Sequence, residues 1–136
     1  MITAQVTINA SIEKVWTAWT SPQHIMQWNN PSADWVTTLV TVDLKNGGSF
    51  LYKMEARDGS DKFDYTGNYD LVIPQQKIML TQDDGRKTTN VFSDNGSSVT
   101  ITETFEPTPN VPEPDQKAFC QGVLENFKQY VENKIQ

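Results

Sequence analysis

The stretch EPTPNVPEPDQKAFCQGVLENFKQYVENK, residues 106–134, joins a forced break to the longest helical pattern in the chain. Four prolines in 106–114 exclude helix interior and central strand, because proline lacks the backbone donor both need. Beyond them the spacing predicts a helix from Asp115 to about Lys134. Phe119, Val123, Phe127, Tyr130 and Lys134 form one stripe; Cys120, Leu124, Val131 and Ile135 form the adjacent one. So wide an apolar face must be buried against something large. Gly122, in mid-helix, costs about 1 kcal/mol of helix propensity. It reads as a close backbone approach or as space left for a ligand.

The partner is legible upstream. From about 34 to 106 the segments DWVTTLVTVDL, SFLYKMEA, KFDYTGNYDLVI, KIMLTQ, KTTNVFS and SVTITETFE are rich in β-branched and aromatic residues. Short turn sequences separate them: Lys45-Asn46-Gly47-Gly48, Asp58-Gly59-Ser60, Pro74-Gln75-Gln76, Asp83-Asp84-Gly85 and Asp94-Asn95-Gly96. These connections are too short for the crossovers of a parallel sheet, so the order is an antiparallel meander.

At the other end, ITAQVTI (residues 2–8) alternates with period two and predicts a strand. Ser11 suits a helix N-cap, and Ile12, Val15, Trp16 and Trp19 share one helical face. Ser21-Pro22 ends that helix and starts another, which Asn29-Asn30-Pro31 stops. The expected fold is α+β: a curved antiparallel sheet of about seven strands wrapped around a long C-terminal helix, with two short helices after strand 1. Residues 1–136 are expected to form one domain, a length that supports a real core.

Composition narrows the function. Eleven basic and 17 acidic residues leave a net charge of −6, which disfavours nucleic acid and anionic membranes as partners. One cysteine and one histidine make neither an internal disulfide nor a Cys/His zinc site. The first residues lack the basic-then-apolar pattern of a secretory signal, and no run approaches 18 apolar residues. A cytoplasmic location is expected.

Four motifs carry a family resemblance. Val15-Trp16-Thr17-Ala18-Trp19-Thr20-Ser21-Pro22-Gln23-His24, with Trp28 and Pro31, resembles the opening helix pair of the "activator of heat-shock-protein-90 ATPase" homologue family. Asp43-Leu44-Lys45-Asn46-Gly47-Gly48-Ser49-Phe50 resembles its Gly-Gly turn, with Lys45 as the basic residue. Gly67-Asn68-Tyr69 with Val72-Ile73-Pro74 resembles a later strand and turn; Gln121 to Phe127 with Tyr130 and Glu132 resembles its closing helix. The tryptophan that usually follows the helix glycine is Val123 here, which leaves more room beneath. The resemblance implies the START-like (SRPBCC, birch-pollen-allergen) helix-grip fold. That superfamily contains lipid carriers, polyketide cyclases and co-chaperone domains, so fold alone selects no chemistry.

Candidate residues follow from the faces. Phe50, Tyr52, Met54 and Ala56 share one strand face, and Phe63, Tyr65, Gly67, Tyr69 and Leu71 another. With Trp28, Trp35, Phe105, Phe119, Val123 and Phe127 they line an apolar pocket or fill an ordinary core. Gly67 and Gly122 are expected to enlarge that space. In SVTITETFE, Glu103 falls in register with Val99, Ile101 and Phe105, where a bare carboxylate is costly. It reads as an acid/base or ligand-binding group, or as a strand-end residue paired with Lys53 or Arg57. His24 reads as a packing residue of its helix or a base at the cavity mouth. Cys120 reads as an inert buried thiol or a nucleophile without an evident base. Asp58, Asp61, Asp64, Asp83 and Asp84 read as solvated turn charge, since no loop has calcium-binding spacing.

The expected function is non-catalytic binding of a small hydrophobic or amphipathic molecule, with no metal and no cofactor, by a monomer or weak dimer. Lys53, Arg57 or Lys62 could make a locally basic mouth. A chaperone is the alternative partner, through an apolar patch near the short helices. A cyclase or hydrolase using Glu103 or His24 is the third reading.

Overall fold

The computed structural model describes residues 1–30 and 33–134. In chain order these form β1 (Ile2–Ile8), α1 (Ile12–Thr20), α2 (Pro22–Trp28), β2 (Trp35–Val42), β3 (Ser49–Ala56), β4 (Lys62–Ile73), β5 (Lys77–Gln82), β6 (Lys87–Asp94), β7 (Val99–Phe105) and α3 (Glu113–Lys134). Pro31 and Ile135, expected as helix stop and stripe residue, lie outside the described residues.

The strands make one antiparallel sheet in the order β1-β7-β6-β5-β4-β3-β2. Hairpin turns alone join β2 through β7, while β1 reaches β7 because the helices and the meander intervene. The sheet curls into a half-barrel that holds α3 in its concave face. In β1 alternate residues are buried from Ile2 to Ile8, as the period-two pattern demands.

Local signals set the helix ends. The Ser11 side chain accepts from the Lys14 backbone N–H, and Pro22 opens α2 without needing a donor. Helix α3 starts two residues before the expected Asp115, with Pro114 in its first turn, where its missing N–H breaks no helical bond.

Helix α2 packs on β2, and both short helices touch α3. The Trp28 indole donates to the Ala18 carbonyl at 2.9 Å, which fixes its ring. Trp19 stacks on Trp28 at 4.9 Å, and Phe127 meets both edge-on at 5.0 and 4.8 Å. Helix α3 also covers the free edge of β1: Gln121 donates to the Gln5 carbonyl, Lys128 to Thr7, and the Asn9 N–H donates to Glu132. Those backbone groups would otherwise face solvent as an unpaired edge.

Two expectations about glycine are corrected. A Cβ on Gly67 would lie 2.3 Å from the Thr81 carbonyl oxygen and 2.8 Å from the Phe50 ring. That position therefore serves close packing, and a neighbouring ring already fills the space. A Cβ on Gly122 would meet nothing within 4 Å, because this residue faces outward, away from the cavity.

Candidate functional site: an aromatic-walled cavity

Between the sheet and the first half of α3 lies a cavity of about 590 Å³. Phe50, Tyr52 and Met54 of β3 and Phe63, Tyr65 and Tyr69 of β4 form its aromatic wall. Cross-strand register makes this wall continuous, with Tyr52 opposite Tyr65 and Met54 opposite Phe63. Ring centroids sit 5.3 Å apart for Tyr52–Tyr65, 5.1 Å for Phe50–Tyr65 and 5.2 Å for Phe50–Tyr69.

The opposite wall is more polar. Ile78, Leu80, Gln82, Thr88, Asn90, Glu103 and Phe105 of β5–β7 face inward. Phe119, Cys120 and Val123 of α3 form the roof, and Trp19 and Trp28 close one end. Gln116 clasps the proline-rich segment beside the mouth. It accepts from the Thr108 N–H at 2.9 Å and donates to the carbonyls of Thr108 and Val111. Phe63, Val111 and Phe119 are exposed around the opening.

Of the expected pocket residues, Trp28, Phe50, Tyr52, Met54, Tyr65, Tyr69, Glu103, Phe105, Phe119 and Val123 meet at this cavity. Two do not. Trp35 lines a separate groove on the far side of α2, and Trp28 stands between the two hollows. Phe127, fully buried, lies one turn beyond Val123 and packs beneath the tryptophans.

Glu103 sits inside, as its register demands. Its Oε1 accepts from Asn90 Nδ2 at 2.6 Å and its Oε2 from the Cys120 thiol at 2.9 Å. It therefore does not pair with Lys53, which faces Asp64, or with Arg57, which donates to the Ala33 carbonyl. Burial pushes the Cys120 thiol far up, and the Glu103 charge adds to this, so the thiol stays protonated.

The three tyrosines carry a different signal. Burial raises the phenols of Tyr52, Tyr65 and Tyr69 well above their ordinary value, and Glu103 across the cavity pushes Tyr52 and Tyr65 further. Tyr69 is 5% exposed. Among the described residues, none hydrogen-bonds these three hydroxyls. They are polar groups turned into an apolar-walled space without a protein partner.

His24 lies elsewhere. Its Nδ1 is 2.6 Å from the Tyr130 hydroxyl, tying α2 to α3 outside the cavity wall. The aspartates act in turns: Asp58 accepts from Ser60, Asp61 from Lys62, Asp83 from Thr66 and Asp84 from Arg86. The basic wall residue is Arg86, in place of Lys53, Arg57 or Lys62.

The sequence profile of the "Activator of Hsp90 ATPase homolog 1-like protein" family matches residues 9–132. The chain belongs to this family. An AHSA1-like protein from Aeromonas hydrophila is 38% identical, with 96% of this chain and 92% of that one covered and a TM-score of 0.88. Chr148 from Cytophaga hutchinsonii is 42% identical over 98% and 93%, with a TM-score of 0.86. Protein CV1439 from Chromobacterium violaceum shares the fold at 21% identity and a TM-score of 0.80, over 98% and all of the respective chains. None of the curated proteins matches the sequence.

In this member of the Activator of Hsp90 ATPase homolog 1-like family, the Gly-Gly turn positions a cavity residue. The Gly47 N–H donates to the Tyr69 carbonyl at 2.7 Å, and the Tyr69 N–H donates to Gly48 at 2.8 Å. Gly47 holds φ of +82°, a conformation that favours glycine. Sequence reasoning missed Gln82, Arg86, Thr88 and Asn90. Alternation in KTTNVFS puts Thr88 and Asn90 on the face of Phe92, so two buried polar residues were readable there. Arg86 carried no such signal, because it sits at a turn.

Proposed function

We propose that this family member binds a small hydrophobic or amphipathic molecule in the cavity, without turnover. The observation that carries the reading is the trio of Tyr52, Tyr65 and Tyr69, whose hydroxyls line the largely apolar cavity and are unpartnered among the described residues. Apolar burial supplies affinity at about 25 cal/mol per Å², and the hydroxyls orient the ligand. An acid/base role would rest on Glu103 alone, since His24 faces Tyr130.

An amide NMR titration against fatty acids, flavonoids and polyketide-like aromatics tests the reading. Saturable shifts at Tyr52, Tyr65, Tyr69 and Val123 are expected. A panel that leaves them unmoved would sink it.

A chaperone partner is the second reading, supported by the family's name. Among the described residues no large apolar side chain of α1 or α2 is exposed; of the large apolar side chains that are, Phe63, Val111 and Phe119 share the mouth of the cavity and are the surface proposed for it. Replacing those three with serine should abolish capture of the host's own chaperone; capture that persists would remove this surface from the reading.

A further inference from the structure

We infer that the cavity selects a neutral or cationic amphipath that offers a hydrogen-bond donor to Glu103, and rejects fatty-acid-like anions. The inference rests on the binding reading above and names the chemistry of its ligand.

Both Glu103 oxygens accept hydrogen bonds, but the two donors are unequal. Asn90 pairs directly with Glu103 across β6 and β7, is 3% exposed, and donates at 2.6 Å. It is a positioning residue and holds the carboxylate in place. Cys120 comes from the opposite layer, α3, and a thiol is a weak donor. A ligand hydroxyl or ammonium is a stronger one and displaces the thiol from Oε2. On the aromatic wall the hydroxyls of Tyr52, Tyr65 and Tyr69 remain free to accept from, or donate to, the same headgroup.

The charges around the cavity agree. Among the described lining residues Arg86 is the one cation. Its guanidinium is held to one side by two contacts: Nε lies 2.8 Å from Asp84 Oδ2 and Nη2 lies 3.1 Å from Gln82 Oε1. Asp115, exposed in the first turn of α3, adds a second negative group among the lining residues. A carboxylate headgroup beside half-buried Glu103 would meet a like charge, with Arg86 held beside Asp84.

The test is a matched series with one apolar body: decanol, decylammonium and decanoate, titrated at neutral pH and followed by amide NMR. Decanol and decylammonium should bind at least about tenfold more tightly than decanoate, the size of one hydrogen bond to a charged group. Glu103→Gln should level the series. If that variant does not fold, Cys120 carries the test. Cys120→Ala removes the competing donor and should tighten decanol and decylammonium but not decanoate, whereas Cys120→Ser supplies a better competitor and should weaken both. Decanoate binding as tightly as decanol, or Cys120 variants that shift all three alike, would overturn the inference and leave the binding reading intact. Failure of all three to bind overturns both.

Discussion

Two glycines in this chain respond to alanine with opposite signs. At Gly67 a methyl group would press on the Thr81 carbonyl and the Phe50 ring, neither of which can retreat without disturbing the β4–β5 ladder or the aromatic wall. Gly67→Ala should destabilise by about 1–3 kcal/mol, read by urea unfolding. At Gly122 the methyl meets open space in a helix interior, so Gly122→Ala should stabilise by about 1 kcal/mol. A loss of stability there would show that the helix glycine serves the outer groove. Sequence alone marked both glycines but not their signs. Sign depends on what stands within 4 Å, and those neighbours are 14 and 17 positions away from Gly67 in Thr81 and Phe50. Glu103 was more legible, because alternation counts to the cavity face from inside one strand. Its partners Asn90 and Cys120 were not, since register and helix docking supply them.

At the scale of elements, α3 is the hinge between core and cavity. Its first half roofs the hollow with Phe119, Cys120 and Val123, and its second half is solid core with Phe127 and Val131. Phe127→Ala removes the ring beneath Trp19 and Trp28 and should cost about 3–5 kcal/mol, with a matching fall in the urea midpoint. A cost below about 1 kcal/mol would mean the tryptophans collapse into the gap. The strands were almost wholly legible: SFLYKMEA, KFDYTGNYDLVI and KIMLTQ are β3, β4 and β5 residue for residue. Turn chemistry at their ends and alternation within them are local properties. Trp35 shows the limit. It lies on a readable strand, but α2 packs on that strand and separates it from the cavity.

For the whole molecule, titration predicts stability falling on both sides of neutrality. The Asn9 backbone N–H, then the Lys128 ammonium, hold Glu132 below its ordinary range, and the Arg86 backbone N–H and side chain do the same for Asp84. A carboxylate depressed by folding stabilises above its unfolded value and loses that contribution as pH falls through the folded one, below about 4 here. The buried thiol and phenols have the opposite sign. Raised by folding from 9.0 and 10.0, they contribute fully below those values and lose the contribution as pH rises above them. Melting temperature against pH should therefore drop below pH 4 and above about 9, with the tyrosinate absorbance of the three wall phenols, read in a Tyr130→Phe background, appearing only as the fold is lost. An alkaline limb flat beyond 11, or wall phenols that ionise before unfolding, would contradict burial of the wall.

The sequence by itself determined the order of elements, the antiparallel sheet, the long helix it must grip, and the strand faces that Glu103 and the tyrosines share with their apolar neighbours. Each follows from periodicity or turn chemistry over a few neighbouring residues. Tertiary structure alone decided which inward side chains fill space and which leave it open. Phe127 packs solid, Tyr52, Tyr65 and Tyr69 keep hydroxyls without a partner among the described residues, and Glu103 takes its partners from β6 and α3. Those outcomes depend on the curl of the sheet and the distance to α3, sums over the whole chain that no single stretch encodes.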